Sequence, residues 1–291
     1  MRPQRIGLVL LVVFLGIGSS ACRHTPITYG LPPAALVTPP ALLTTTAEIL
    51  NFQLGEAYDG IKSFQATTEM TARVGSVYRS TSVTEFTESS RSFIFFRKDA
   101  MLRMQGQRPI FGGTAFDLAS SGADFRLSIP YKNLFVLGAD SAPATSKSAL
   151  ENLRPHQLLS TMLIQPANLA TERIHIEDDT DVDHSWYILQ ITKRGPDDTD
   201  LPDRSVWFNR FDFRVVRQRI FDEKGLIVSD TKYDKWEGFN GILFPMRIEA
   251  AFKKEGFGFV INTSDLKMNI ELADDKFTFP QPEGFKVQEI K

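Results

Sequence analysis

The chain has 291 residues, with 33 basic and 35 acidic side chains, one Cys, four His and 23 Phe. This near-balance of charge argues against nucleic-acid binding by general electrostatics, because no basic excess remains to neutralise phosphates. A single Cys excludes an intrachain disulfide framework and any multi-Cys metal site. Four His leave little material for a His-rich centre, so we expect neither a metal nor another cofactor.

The first residues have the pattern of a bacterial export signal. Arg2 and Arg5 precede an apolar stretch at residues 6–17, and the small residues 18–21 follow it. The apolar stretch is shorter than the roughly 20 residues that a transmembrane helix needs. The only Cys comes next, and Ser-Ser-Ala-Cys at residues 19–22 resembles the lipobox of bacterial lipoproteins, although Ser19 replaces the usual aliphatic residue.

The lipobox resemblance implies that residues 1–21 are a lipoprotein signal peptide and that Cys22 is acylated. The alternative is an ordinary secretory signal that is cleaved near Ala21 and followed by an incidental Cys. Arg23 follows the Cys, whereas an Asp there would resemble an inner-membrane retention signal. We therefore expect a protein anchored by lipid in the outer membrane and facing the periplasm, where two or more acyl chains give stable attachment.

Residues 22–43 are predicted to form a tether between the membrane and the folded domain. Their Pro density excludes a continuous helix and favours an extended, semi-rigid spacer. The prolines of this segment are Pro26, Pro32, Pro33, Pro39 and Pro40.

The folded part begins with one helix and continues with strands. Residues 45–48 have capping-box spacing, and apolar side chains then recur at helical intervals, which predicts a helix over residues 46–59 closed by Gly60. From Phe64 to Val74 the apolar period changes to two, which is typical of a strand. Residues 148–153 and 155–164 are predicted to form a pair of short helices between the strands. We expect strands at residues 78–88, 92–98, 100–106, 114–121, 124–129, 134–137, 173–177, 186–193, 205–211, 215–221, 227–233, 242–251 and 258–271.

The predicted fold class is α+β, with one domain over residues 44–291. It contains a single large curved antiparallel sheet, an open or half-closed β-barrel, with an N-terminal helix and a helical insertion covering its mouth. A phase slip around residues 263–265 indicates a β-bulge in the last long strand. Phe side chains on alternating faces leave two alternatives for the interior, a dry core or an apolar cavity.

The usual catalytic and metal-binding motifs are absent from the sequence. Asp179, Asp181 and Asp183 match the start of an EF-hand loop, but His184 and Gln190 stand where Gly and Glu are required. Ser229 and Lys232 match S-x-x-K, yet a strand would point them to opposite faces. No P-loop, nucleophile elbow or H-E-x-x-H is present. We therefore expect that the chain is not an enzyme.

Three segments resemble the LolA/LolB-like superfamily of periplasmic lipoprotein carriers and outer-membrane lipoprotein receptors. Residues 47–66 are similar to its opening helix and strand, residues 116–130 to its central hairpin, and residues 277–284 to its closing strand. The resemblance implies an open antiparallel half-barrel with helices in its mouth, and acyl chains or lipoprotein cargo as partners. The greater length and the extra strands after Asp183 depart from the family, and the Arg on which the carriers depend has no evident counterpart.

The resemblance also points to a protruding loop. Pro109, Ile110 and Phe111 precede a Gly pair at the position where the receptors have a loop with an apolar tip. The resemblance implies that this segment is a membrane or cargo loop. The alternative is that Ile110 and Phe111 fold back over the rim of the barrel.

The leading hypothesis is a monomeric, lipid-anchored lipoprotein that binds acyl chains or lipoproteins in an apolar barrel and takes part in lipoprotein sorting. Candidate lining residues are Phe64, Met70, Phe93 and Phe95. One alternative is a structural or partner-binding envelope lipoprotein of the same fold with a filled interior. An outer-membrane hydrolase is the third hypothesis and ranks last.

Overall fold

The computed structural model describes residues 41–74, 85–86, 89–108, 112–142, 150–195 and 199–290, which belong to one compact unit. Cys22 and the predicted loop residues Pro109, Ile110 and Phe111 lie outside the described residues. Within the described ranges, no helix has both the length and the apolar character needed to cross a membrane.

The described residues contain two α-helices, and both were predicted. Helix α1 spans Ala47–Gly60, and the Thr46 hydroxyl caps it by accepting a hydrogen bond from the Ile49 amide at 3.4 Å. Helix α2 spans Pro155–Met162 and begins with a proline, whose missing N–H has no helical partner at that position. The helix expected at residues 148–153 is reduced to a 3₁₀ turn at Leu150–Asn152 among the described residues.

The described residues contain fifteen strands of one sheet. In chain order they are β1 (Ser63–Val74), β2 (Glu85–Phe86), β3 (Ser90–Arg97), β4 (Met101–Gln107), β5 (Thr114–Ser121), β6 (Asp124–Ile129), β7 (Leu134–Ala139), β8 (Glu172–Thr180), β9 (Ser185–Arg194), β10 (Asp200–Asn209), β11 (Val215–Phe221), β12 (Ile227–Phe239), β13 (Ile242–Phe252), β14 (Phe257–Met268) and β15 (Lys286–Ile290).

The sheet is open and curved, which confirms the predicted α+β half-barrel. Its order is β15-β7-β6-β5-β4-β3-β1-β14-β13-β12-β11-β10-β9-β8, with the short β2 paired to β1. All pairs are antiparallel except β15, which runs parallel to β7, so the sheet is mixed. The predicted bulge is confirmed as well, because Thr67 pairs with Asp265 while Thr68 pairs with Thr263, leaving Ser264 as the extra residue.

The two helices cover one face of the sheet, which we call the inner face. Helix α1 packs against β8, β9 and β13, and α2 packs against β5 and β13. Alternate residues of the strands point to this face and form one hydrophobic core with the helices. Leu50 and Leu54 of α1 belong to this core, at the spacing of one helical turn.

The C-terminal segment differs from the prediction. Residues 277–284 were expected to form a closing strand, but Asp274–Phe277 is a 3₁₀ turn and the last strand begins only at Lys286. Pro280 and Pro282 explain the difference, since neither can donate to a strand ladder. The segment instead crosses the outer face of β4–β7, where the Phe279 ring meets Phe135 at 5.9 Å and the Arg103 guanidinium at 5.3 Å.

Candidate functional site

An apolar cavity of about 260 Å³ lies between α1 and the inner face of the sheet. The C-terminal half of α1, the end of α2, the β10–β11 hairpin and the β12–β13 hairpin enclose it. Its lining residues are Gln53, Leu54, Ala57, Tyr58, Ile61, Met162, Leu163, Ile164, Phe208, Asp212, Phe213, Arg214, Val215, Trp236, Leu243, Phe244 and Pro245.

Helical spacing explains the wall that α1 contributes. Leu54, Ala57, Tyr58 and Ile61 recur at intervals of three and four residues, so they face the same side of the helix. Ala57 removes side-chain volume in the middle of this row, where a larger residue would occupy the cavity. Ala57 is therefore the smallest side chain in the wall that α1 contributes.

The sheet forms the opposite wall of the cavity, in which a hydrogen bond holds the indole ring of Trp236. Phe208, Val215 and Phe244 are buried and point inward. Trp236 donates its indole N–H to the Val215 carbonyl at 3.0 Å, which ties β12 to β11 at the cavity. With that polar atom satisfied, its ring adds apolar surface to the lining. Gln53, Asp212, Arg214 and Leu243 are exposed and form the polar and apolar edge of the opening.

The hairpin between β10 and β11 is held in an unusual conformation. Phe213 has φ of 54°, a left-handed conformation that is rare for a bulky side chain. Its amide donates to the Asn209 carbonyl at 2.8 Å, which closes the turn. Strained backbone of this kind concentrates at ligand-binding and catalytic sites. Here it directs a half-buried aromatic ring into the cavity lining.

Arg210 anchors that hairpin to the edge of the sheet. Its Nη1 donates to both Asp178 carboxylate oxygens at 2.9 and 2.8 Å and to the Thr180 hydroxyl at 2.8 Å. Its guanidinium also lies 4.4 Å from the centre of the Tyr187 ring. This side chain was not singled out in the sequence, because nothing in the local pattern distinguishes it from the other basic residues.

A buried polar patch lies on the inner face beside the cavity wall. Gln218 and Thr231 are cross-strand partners, and Tyr233 is two residues further along the same face. The Gln218 amide nitrogen donates to the Ser160 carbonyl of α2 at 3.0 Å. Its side-chain oxygen has no hydrogen-bond partner among the described residues, and the Thr231 and Tyr233 hydroxyls interact with each other without forming a hydrogen bond of standard geometry. Burial raises the pKa of Tyr233 far above its usual range, so the phenol stays neutral.

The predicted lining residues divide between the two faces of the sheet. Phe64 and Met70 are buried on the inner face, and the Phe64 ring contacts the cavity residue Phe244 at 5.4 Å. Phe93 and Phe95 alternate with the buried Ile94 and Phe96, so they lie half-exposed on the outer face. The four residues thus do not share one lining. Alternation could not decide this, because residues 93–96 are apolar at every position.

The acidic turn that was considered as a calcium loop is a β8–β9 connection. The His184 ring lies 3.3 Å from an Asp179 carboxylate oxygen and 3.1 Å from one of Asp181, so these carboxylates face an imidazole. Backbone hydrogen bonds from His184 and Asp183 lower the pKa of Asp181. No group of His, Cys, Asp and Glu side chains suited to a metal occurs in the part of the chain that the structure describes.

No protein-family model and no curated protein matches this chain. Several solved structures, however, are similar to it. A LolA superfamily protein from Nitrosomonas europaea has a TM-score of 0.52 at 15% identity, covering 81% of this chain and 99% of that chain. A DUF1329 family protein from Desulfovibrio piger has a TM-score of 0.52 at 17% identity, covering 81% and 98%.

A third similar structure is an outer membrane lipoprotein-sorting protein domain from Vibrio parahaemolyticus, with a TM-score of 0.50 at 16% identity over 80% of this chain and 95% of that chain. The likeness extends over nearly the whole of these proteins. At such low identity it establishes architecture only. The chain therefore has the fold of the LolA-like lipoprotein-sorting proteins, as the sequence resemblance implied.

Proposed function

We propose that this chain is a non-enzymatic, lipid-anchored envelope lipoprotein that binds an acyl chain in the cavity beneath α1. The observation that carries the proposal is the cavity itself, because apolar side chains from two helices and four strands surround about 260 Å³ of space. An acyl chain needs no charged partner. Each methylene that leaves water contributes about 0.8 kcal/mol.

The volume limits the occupant. Sites for drug-sized ligands enclose roughly 300–1,000 Å³, and this cavity of about 260 Å³ lies just below that range. It therefore suits one acyl chain or part of one, with the head group at the exposed edge formed by Gln53, Asp212 and Arg214. The similarity to a lipoprotein-sorting domain supports acylated protein cargo, and sorting to the outer membrane is the role that we propose for it.

Acyl binding is testable through the native fluorescence of the protein. Of its three Trp, Trp236 lines the cavity, whereas Trp207 lies on the outer face beneath Arg217 and Arg219. The Cys22→Ser chain is titrated with a brominated stearic acid, whose bromine quenches a nearby indole. We expect saturable quenching that is lost in Trp236→Phe and retained in Trp207→Phe. Absence of quenching, or equal quenching in both variants, would refute acyl binding in this cavity.

Anchoring at Cys22 has its own test. Cells expressing the protein are labelled with radioactive palmitate and their membranes are separated on a sucrose gradient. We expect label and protein together in the outer-membrane fraction, and an unlabelled soluble periplasmic protein for Cys22→Ser. Labelled protein in the inner-membrane fraction would correct the destination, and an unlabelled chain would remove the anchor.

A structural or partner-binding role is the second candidate. Its support is that the inner face outside this cavity is filled by side chains, including Phe125, Leu127 and Val136, which are almost completely buried. In that case the fluorescence titration gives no saturable signal, and the protein is instead recovered with a protein partner after crosslinking in intact cells.

A further inference from the structure

Four large apolar side chains at, or close in the chain to, residues of the cavity opening are exposed to solvent. Phe52 of α1 is 66% exposed and Phe211 of the β10–β11 hairpin is 43% exposed. Each is the direct neighbour of a residue at the exposed edge of the cavity, Gln53 and Asp212. With Ile49, one turn before Phe52, and Leu243, they form what we call the apolar rim. Such clusters on a protein surface mark sites of interaction with a protein or a membrane.

The segment leading to the tether is attached at the same place. The Leu43 amide donates to the Arg210 carbonyl at 2.8 Å, which fixes the first described residues to the β10–β11 hairpin. Leu42 and Leu43 are themselves 37% and 40% exposed. Eighteen residues separate Cys22 from Ala41, so even a fully extended tether spans at most about 65 Å. An acyl anchor at Cys22 would therefore keep the rim at high effective concentration near the bilayer.

The end of the β4–β5 ladder lies at the other end of the sheet. Its last pair is Gln107 with Thr114. The pairing of β4 with β3, of β3 with β1 and of β1 with β14 places this pair towards the end of the sheet where Phe252 of β13 pairs with Phe257 of β14. The β12–β13 hairpin at the cavity, which closes with Phe239 paired to Ile242, lies at the opposite end. The apolar rim and the Gln107–Thr114 end of β4 and β5 thus lie at opposite ends of the sheet.

We propose that the apolar rim docks on the bilayer, so that an acyl chain passes from the membrane into the cavity without crossing water. This inference rests on the proposed acyl binding and anchoring. The acidic β8–β9 turn, with Asp181 and Asp183 exposed, lies at the same end of the sheet and repels anionic lipid. The partner is therefore a zwitterionic surface rich in phosphatidylethanolamine, held by apolar insertion rather than by charge.

Docking is measured on the full acylated chain without any cargo. Cys22 is the only Cys, and acylation leaves it unreactive, so single Cys residues can carry a spin label. Labels are placed by Phe52→Cys, Phe211→Cys and, as a matched control, Leu226→Cys, since Leu226 is 62% exposed in the β11–β12 turn at the opposite end. The protein is reconstituted in vesicles of phosphatidylethanolamine with a small fraction of phosphatidylglycerol.

We expect the labels at positions 52 and 211 to be accessible to oxygen and protected from an aqueous nickel complex, and the label at 226 to show the reverse. Raising the phosphatidylglycerol fraction should weaken the protection at 52 and 211. Aqueous labels at 52 and 211, or a buried label at 226 alone, would overturn the proposal and favour the opposite end of the sheet as the membrane-facing end.

The rate of loading separates docking from binding. The Phe52→Glu, Phe211→Glu double variant should slow quenching of Trp236 by brominated lipid in vesicles about 10-fold or more, because both apolar contacts with the bilayer are lost. Quenching by monomeric brominated fatty acid should not change, since neither residue lines the cavity. Equal slowing in both assays would overturn the docking role. Immersed labels with no quenching by monomeric fatty acid would refute the cavity while leaving docking intact.

Discussion

The two halves of the sheet share the same alternation of apolar residues, but their inner faces are packed differently. In the packed half, β3–β7, the inward-pointing Leu102, Leu118 and Leu127 have no exposed surface. The C-terminal segment covers the outer face of this half with Phe277 and Phe279. In the cavity half, β9–β13, the inner face borders open space, and the outer face carries charged residues such as Arg217, Arg219 and Asp230.

Each half is held by a buried charged group in a different way. Arg154, which is 1% exposed, is buried against the packed half. It donates hydrogen bonds to the carbonyls of Ala142 and Glu151, and its guanidinium lies 4.9 Å from the centre of the Phe125 ring. In the cavity half, Asp230 on the outer face accepts hydrogen bonds from Arg217 and Arg219, which both lie over Trp207. The packed half also has a part-buried ion pair on its outer face, in which Arg103 donates to both Asp117 carboxylate oxygens at 3.0 and 2.8 Å.

The largest expected effect comes from truncating one leucine in each half. Leu118→Ala should lower the free energy of unfolding by about 2–5 kcal/mol, because a fully enclosed side chain leaves a cavity. The matched variant Leu163→Ala removes a side chain that already borders open space, so its loss should be about half as large. Urea denaturation measures both. Equal losses would mean that the cavity half is packed as tightly as its counterpart.

The ion pairs of Asp230 with Arg217 and Arg219 offer the second test. Burial of the Asp230 carboxyl opposes ionisation, but hydrogen bonds from Arg217 and the charges of both Arg outweigh it, so its pKa lies below the usual value. A carboxylate with a lowered pKa stabilises the fold above its unfolded pKa of about 3.9, and this contribution disappears as pH falls through the folded pKa.

Asp230→Asn should therefore lower the free energy of unfolding by about 2 kcal/mol at neutral pH, because two charge-assisted hydrogen-bond partners lose their anion. The difference from the parent should shrink as the pH is taken below 4, which urea denaturation at successive pH values would show. Asp234→Asn, at an exposed position of the same strand, is the control. A difference that persists unchanged into acid would assign the effect to packing rather than to charge.

Much of this architecture could be predicted from the sequence, and the division into halves could not. Periodicity located α1, α2, most strands and the bulge at Ser264, because each is a local property of the chain. The inner and outer positions of Phe64 and Phe93 depend on pairing across strands, which a run such as residues 93–96 does not reveal. The cavity is lined by Ala57 together with a hairpin more than 150 residues away, and such long-range proximity leaves no local signal. The parallel strand β15 follows a segment that contains two prolines, which hides it in the sequence.

A third test adds volume instead of removing it. Ala66 is 2% exposed and paired with Ile94 and Leu266 in the middle of the sheet, so Ala66→Leu should destabilise by about 1–3 kcal/mol through overpacking. Ala57→Leu should instead be neutral or stabilise by up to about 1 kcal/mol, since its side chain enters existing space and Leu suits a helix. The same variant should abolish quenching of Trp236 by brominated fatty acid. Retained quenching would place the ligand elsewhere.

The smallest expected effect probes the polar patch of the cavity half. Thr231 is completely buried and its hydroxyl forms no hydrogen bond of standard geometry among the described residues, so its interaction with the Tyr233 hydroxyl compensates only in part for the lost hydration. Thr231→Val keeps the branched shape and should raise the free energy of unfolding by about 1 kcal/mol. Thr68→Val, at an equally buried position whose hydroxyl donates to the Ser92 carbonyl at 3.4 Å, should show no such gain. A loss of stability in Thr231→Val would mean instead that the hydroxyl is satisfied in solution, and that the inner face beside the cavity holds water or the polar end of a ligand.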